Sequence, residues 1–175
     1  MTGVPVIGIA GYKNAGKTTL AERLIAELTA RGYRVSTVKH AHHSVDLDEP
    51  GRDSYRHRQA GAHEVALATS RRLAIMRELR GAPEPTLRDI LVRLDPVDLV
   101  VVEGFKAEPF PKIEVRRRAA ADPRAAAIEG VIAIASDEPI TGADRPVLPL
   151  DDIAVIADFI VDRFSLEAGH ARAAG

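Results

Sequence analysis

Residues 4–10 (VPVIGIA) form an apolar, largely β-branched run without alternation, the pattern of a strand buried on both faces. From Thr18 the period changes. Leu20, Leu24, Ile25 and Leu28 recur at steps of three and four, which predicts an amphipathic helix with Gly32 as its stop. RVSTVK at 34–39 predicts a second strand, and the polar stretch 40–54, with Pro50 and Gly51, predicts a loop. A short helix over 55–60 follows, ending at Gly61. Two neighbouring apolar runs, 64–69 and 72–76, predict a β-hairpin, although its turn at Ser70 and Arg71 lacks the favoured Asn-Gly type. TLRDILVRL at 86–94 reads as a short helix with Thr86 as its N-cap. DLVVVE at 98–103 is the clearest buried strand. Further strands are expected at 112–115 and 131–135, and a helix at 151–164 puts Ile153, Ile156, Ile160 and Phe164 on one face. Strands alternating with helices predict an α/β fold with a mainly parallel sheet flanked by helices and an antiparallel hairpin inserted. In such sheets ligands bind beyond the carboxyl ends of the strands. A single domain over 1–167 and a frayed, disordered tail over 168–175 complete the expectation.

The junction between the first strand and the first helix reads Gly11-Tyr12-Lys13-Asn14-Ala15-Gly16-Lys17-Thr18-Thr19. Two glycines five residues apart followed by Lys-Thr are the P-loop pattern of nucleotide-binding proteins, so the fold expected is that of a P-loop NTPase. Gly11 and Gly16 can take backbone angles closed to other residues, letting the main chain approach an anion. The N–H groups from Lys13 to Thr18 then form a cradle at the positive end of the helix, with Thr19 beside them. Lys17 adds a charge for the β- and γ-phosphates, and Thr18 offers a hydroxyl to Mg²⁺.

A phosphate-bound Mg²⁺ also calls for a carboxylate at the end of a neighbouring buried strand. Asp98 begins its strand, at the wrong end of the sheet, whereas Glu103 ends it and is followed by Gly104. Glu103 is therefore the candidate for metal or water positioning. The 40–54 loop gathers His40, His42, His43, Asp46, Asp48, Arg52 and Asp53 next to Lys39. A transition-metal site, a solvated face and an anion site built from Lys39, Arg52 and Arg56 all stand open. Asp137, after the strand at 131–135, is a candidate for the paired donors on guanine's edge, with a simple Ser-Asp turn as the alternative. No arginine finger or water-positioning glutamine is evident apart from Arg80 and Arg88, so hydrolysis is expected to be slow.

Composition narrows the partners. In 175 residues the net charge is −1, so no global pull toward nucleic acid or a membrane surface is expected. Aromatic residues make up 4% with no Trp, which argues against stacking platforms for single strands. The absence of cysteine excludes disulfides and thiolate metal sites. With no apolar run long enough to span a bilayer and no leader-like start, a cytoplasmic protein is expected.

The segments GYKNAGKTTL (11–20), VKHAHHSVDLDEPGRDSYRHRQAGA (38–62) and DLVVVEGFKAEPFPKIEVRR (98–117), with LPLDDIAVIADFIVD near the end, resemble the molybdopterin-guanine dinucleotide biosynthesis protein B (MobB) family. The P-loop is generic; the His–Asp–Pro-Gly loop paired with Glu-Gly-Phe-Lys is far more specific. Lys13 departs from the small or polar residues of relatives but leaves both glycines, Lys17 and Thr18 intact. The resemblance implies a GTP-binding homodimer with at most a weak GTPase activity. Such a protein assists the molybdopterin guanylyltransferase that joins GMP to molybdopterin, alongside other molybdenum cofactor proteins. The 39–53 loop is expected to serve a partner or the pterin phosphate, which its basic members suit, and not a structural metal, for which no cysteine is available. Two other classes remain in view. A small-molecule kinase is marked by substrate-dependent ADP release, and a non-hydrolysing nucleotide-dependent adapter by function that survives loss of hydrolysis.

Overall fold

The structure, a computed structural model, describes residues 3–41, 48–120 and 127–167. The expected tail and the middle of the 40–54 loop, with His42, His43 and Asp46, lie outside them. The chain gathers into two compact units, Met1–His40 with Asp89–Gly175, and Ala41–Arg88.

The first unit holds a six-stranded, wholly parallel sheet in the order β2 (Val35–Lys39), β5 (Leu99–Glu103), β1 (Val6–Gly11), β6 (Lys112–Arg116), β7 (Val131–Ser136) and β8 (Val147–Pro149). Alternate residues of the central strands, Ile7 and Ile9, Leu99 and Val101, Ile113 and Val115, Ala133 and Ala135, belong to one buried cluster. Leu20, Leu24 and Leu28 of α1 (Lys17–Ala30) join it, as do Ile156 and Ile160 of α4 (Ile153–Phe164). The helical spacing read from the sequence is therefore the spacing of a packed face. Arg31 ties the two helices at the rim, pairing with Glu27 and with Asp158. Asp152 caps α4 by accepting from the Val155 N–H at 3.3 Å. Strand β8 is absent from the sequence reading, since three residues ending in proline carry no periodic signal and only pairing with β7 defines them. The helix expected over 86–94 is shorter, α3 spanning Leu87–Leu91.

β5 and β6 lie on either side of β1, yet no helix joins them. Parallel strands of one sheet ordinarily need a long crossover. Here the strands are staggered: Ile9 pairs with Glu103, the end of β5, while Gly8 pairs with Lys112, the start of β6. The connection has little distance to return along the sheet. It passes over Gly8, whose missing side chain leaves room for the Phe110 ring. Lys112 is wholly buried, and its ammonium donates to the carbonyls of Glu108, Phe110 and Glu129. Burial holds its pKa below the usual lysine value, offset by Glu129 and Glu108.

The second unit contains α2 (Asp53–Gln59) and the antiparallel hairpin β3 (Glu64–Ala68) and β4 (Leu73–Arg77). The Thr69 hydroxyl closes the hairpin turn by accepting from the Arg72 N–H at 2.9 Å, doing the work the missing Asn-Gly would have done.

The crossing at Gly8 yields a stability prediction. A Cβ there would stand 2.7 Å from the Phe110 ring and 2.8 Å from Lys112 Cγ. Gly8→Ala is expected to destabilise the fold by about 1–3 kcal/mol, the usual cost of overpacking. Urea unfolding should show a lower midpoint at unchanged slope; an unchanged midpoint would remove Gly8 from this role.

Candidate functional site

The chain leaves β1 at Gly11 with φ +145°, where a Cβ would lie 2.7 Å from the Val115 carbonyl oxygen, so only glycine fits. The loop then uses positive φ at Asn14 (63°) and Gly16 (93°). Ala15 drops its methyl into the core and donates its N–H to the Tyr12 carbonyl at 3.2 Å. Helix α1 starts at Lys17, one residue ahead of the sequence reading. No side chain caps it and its own first turn holds no acid, so the N–H groups that open the helix are left without a capping side chain. The Lys17 ammonium folds back to the Tyr12 carbonyl at 2.6 Å.

Glu103 ends β5 beside β1, as the carboxyl-edge rule requires. The Thr18 hydroxyl donates to its carboxylate, with Oε1 at 3.1 Å and Oε2 at 3.3 Å. Lys39, at the end of β2, places its ammonium 3.6 Å from Oε2. These two oxygen donors suit Mg²⁺, which takes few protein ligands and keeps several waters. Among the described residues no group of three His, Cys, Asp or Glu could hold a metal. Gly104, at φ +103°, lets β2's exit pass close: a Cβ there would meet His40 Cβ at 2.6 Å. The His40 N–H donates to the Glu103 carbonyl at 2.8 Å, and its ring stacks on Phe105 at 4.4 Å between centroids.

Charge at the loop is lopsided. The Lys17 pKa is lowered, first by burial, then by Lys106, with Lys39 adding to it; Glu103 opposes them. Lys106 lies 6.0 Å over the Tyr12 ring. Lys17 thus feels two other ammonium groups and one opposing carboxylate, an arrangement that an anion relieves.

Other expected residues sit elsewhere. Lys13 contributes through its position in the loop, and Thr19 lies in the first turn of α1. Asp137 is exposed beyond the carboxyl end of β7 and accepts from the Arg118 N–H at 3.1 Å. Asp98 sits at the opposite end of β5, where it accepts from the Arg34 N–H at 2.7 Å. Asp48, Arg52, Asp53 and Arg56 belong to the second unit, where Arg52 pairs with Glu49 and Arg56 with Asp53. Arg80 donates to the Arg58 and Ala62 carbonyls in that unit, and Arg88 is exposed on α3. Lys106 and Arg117, which lie beside the loop, carry no motif signal in the sequence. Both follow strands on the carboxyl side of the sheet, and that rule alone could have found them.

Residues 6–137 match the family described as Molybdopterin guanine dinucleotide synthesis protein B. The chain belongs to the MobB family. It is 45% identical over 160 residues to the molybdopterin-guanine dinucleotide biosynthesis adapter protein of Haemophilus influenzae, covering 90% of this chain and 88% of that one. To the protein of the same name from Escherichia coli it is 40% identical over 172 residues, 96% and 98% of the two chains. The crystal structure of Bacillus subtilis MobB superposes with a TM-score of 0.74 at 26% identity, covering 94% of this chain and 99% of that one. The MobB family likeness thus extends well beyond the generic loop motif. No helix among the described residues is long and apolar enough to cross a membrane.

Lys17 supplies the test of this geometry. An anion that pairs with it raises its lowered pKa, so triphosphate binding takes up protons at alkaline pH and weakens as pH rises through the free-state value. Lys17→Ala is expected to lower GTP affinity about tenfold to a hundredfold, the worth of a hydrogen bond to a charged group. It should also abolish the proton uptake, without lowering Tm, because the ammonium is held at a cost in the free protein. Calorimetry in buffers of different ionisation enthalpy reads all three; equal affinity in parent and variant would sink the assignment.

Proposed function

We propose that this chain is a GTP-binding adapter in the synthesis of molybdopterin guanine dinucleotide, assisting the guanylyltransferase that attaches GMP to molybdopterin. The observation that carries the nucleotide reading is the contact of Thr18 with Glu103 across the uncapped start of α1. Family membership supplies the pathway, since both adapter proteins above are named for it.

In this reading the backbone from Gly11 to Thr19, Lys13, Asn14, Ala15 and Gly16 included, cradles the phosphates, and Lys17 turns from the Tyr12 carbonyl to the β- and γ-phosphates. Thr18 and Glu103 hold Mg²⁺, which supplies charge neutralisation between those phosphates. Asp137 reads guanine: Oδ1 is engaged by Arg118, while Oδ2 makes no hydrogen bond among the described residues. Hydrolysis by this chain is slow, at most a weak GTPase, for want of an evident arginine finger or water-positioning glutamine; of the two arginines that could serve, Arg80 is engaged with carbonyls of its own unit. The protein works in the cytoplasm as a homodimer. Leu73 and Ile75, 66% and 63% exposed on one face of the hairpin, supply apolar surface of the kind such contacts use.

Two measurements test this. Thermal stabilisation should rank GTP above ATP, ligand at about 100 times its dissociation constant adding roughly 2.7 kcal/mol. A base edge left unpaired at Asp137 separates the two nucleotides. Equal stabilisation across a titration would count against guanine recognition. Glu103→Gln should bind GTP at least as well as the parent, because it removes a negative charge beside Lys17 and Lys39. Its Mg²⁺-dependent single-turnover hydrolysis should fall about tenfold or more, each factor of ten being about 1.4 kcal/mol of transition-state stabilisation. An unaltered rate would return Glu103 to a purely structural position.

A further inference from the structure

Arg117 is the first residue after β6, the strand paired with β1 on the side away from β5. Its half-buried side chain lies against Gly16 of the P-loop. A Cβ built on Gly16 would stand 3.1 Å from Nε, 3.7 Å from Nη2 and 3.8 Å from Cζ. Its neighbours are both engaged, Arg116 with Glu114 at 2.8 Å and Arg118 with Glu138 at 3.0 Å. Arg117 itself makes no hydrogen bond or ion pair among the described residues. A guanidinium held against an anion cradle without a counter-charge is set for an anionic ligand, and its planar fork matches phosphate oxygens.

Which phosphate it meets follows from the strand order. Lys17, Thr18 and Glu103, the groups suited to the γ-phosphate end, gather at α1's start and on β5. Arg117 stands across β1 from Glu103, on the β6 side. We propose that Arg117 is a nucleotide-contacting residue that grips the nucleoside-proximal phosphates, α and β, and so serves diphosphate and triphosphate alike. The inference rests on the nucleotide site proposed above. It adds a second cation to that site, one that holds product as firmly as substrate. Lys17 discriminates between the two; Arg117 does not.

The experiment is calorimetric titration of the parent, Arg117→Ala, Arg117→Lys and Lys17→Ala with GDP and with GTP, each variant's Tm serving as a fold control. Arg117→Ala should weaken GDP and GTP by the same factor, about tenfold or more for a charge-assisted contact. Arg117→Lys should recover part of that loss, keeping the charge without the fork. Lys17→Ala should instead weaken GTP more than GDP. Unchanged affinities in Arg117→Ala would overturn the proposal, and so would a loss confined to GTP, which places Arg117 at the γ end. If Arg117→Ala lowers Tm and Arg117→Lys restores Tm but no affinity, Arg117 is a brace for Gly16 and the proposal fails. A parent protein that binds neither nucleotide overturns the nucleotide site itself, an outcome distinct from all of these.

Discussion

Strand β1 is buried and paired on both sides, so its chain has only the carboxyl edge of the sheet through which to leave. The Val115 carbonyl of β6 stands where any side chain at Gly11 would go, and the loop must then turn sharply enough to start a helix within a few residues. Positive φ at Gly11, Asn14 and Gly16 accomplishes that turn. One result is structural, since Ala15 is pressed into the core. The other is chemical: the first N–H groups of α1 end in a concave, uncapped loop. The cradle is a consequence of how a buried strand is joined to a helix packed on the same sheet.

The side chains around that loop belong to four different exits from the sheet. Lys17 and Thr18 come from β1's exit, Lys39 from β2's, Glu103 and Lys106 from β5's and Arg117 from β6's. Their common location is the carboxyl edge of parallel strands, where every exit converges. The charges they bring do not balance. Glu103 is fixed by Thr18 and faces Lys39, yet Lys17 remains held below the ordinary lysine range by burial and by Lys106. An electropositive, partly desolvated loop of this kind favours a polyanion because the attraction is weakly screened there.

The short link from β5 to β6 makes this convergence compact. Because β6 starts level with the end of β5, residues 104–111 cross β1 without a helix. The crossing needs Gly8 beneath Phe110, and it needs Lys112, whose buried ammonium binds carbonyls late in that link and the Glu129 carbonyl ahead of β7. A buried lysine with such partners is costly to disturb, since removing it strands the carbonyls it satisfies. That small framework delivers Lys106 to one side of the loop and Arg117 to the other.

Local sequence determined the elements whose signal is local. The apolar run of β1, the Gly-x-x-x-x-Gly-Lys-Thr spacing and the three-and-four periods of α1 and α4 each state their own structure, because backbone angles and a buried face are set within a few residues. The rule that ligands sit at the carboxyl edge also separates Glu103 from Asp98 on the sequence alone. Tertiary structure decided what depends on pairing. It defined β8, which exists only through β7, and it set the stagger that lets β5 reach β6 without a helix. It gave Lys112 a buried place that its polar type conceals. It brought Arg117 against Gly16, residues about a hundred positions apart whose meeting rests on the pairing of β6 with β1. Strand order is a property of the whole sheet, and no stretch of chain carries it alone.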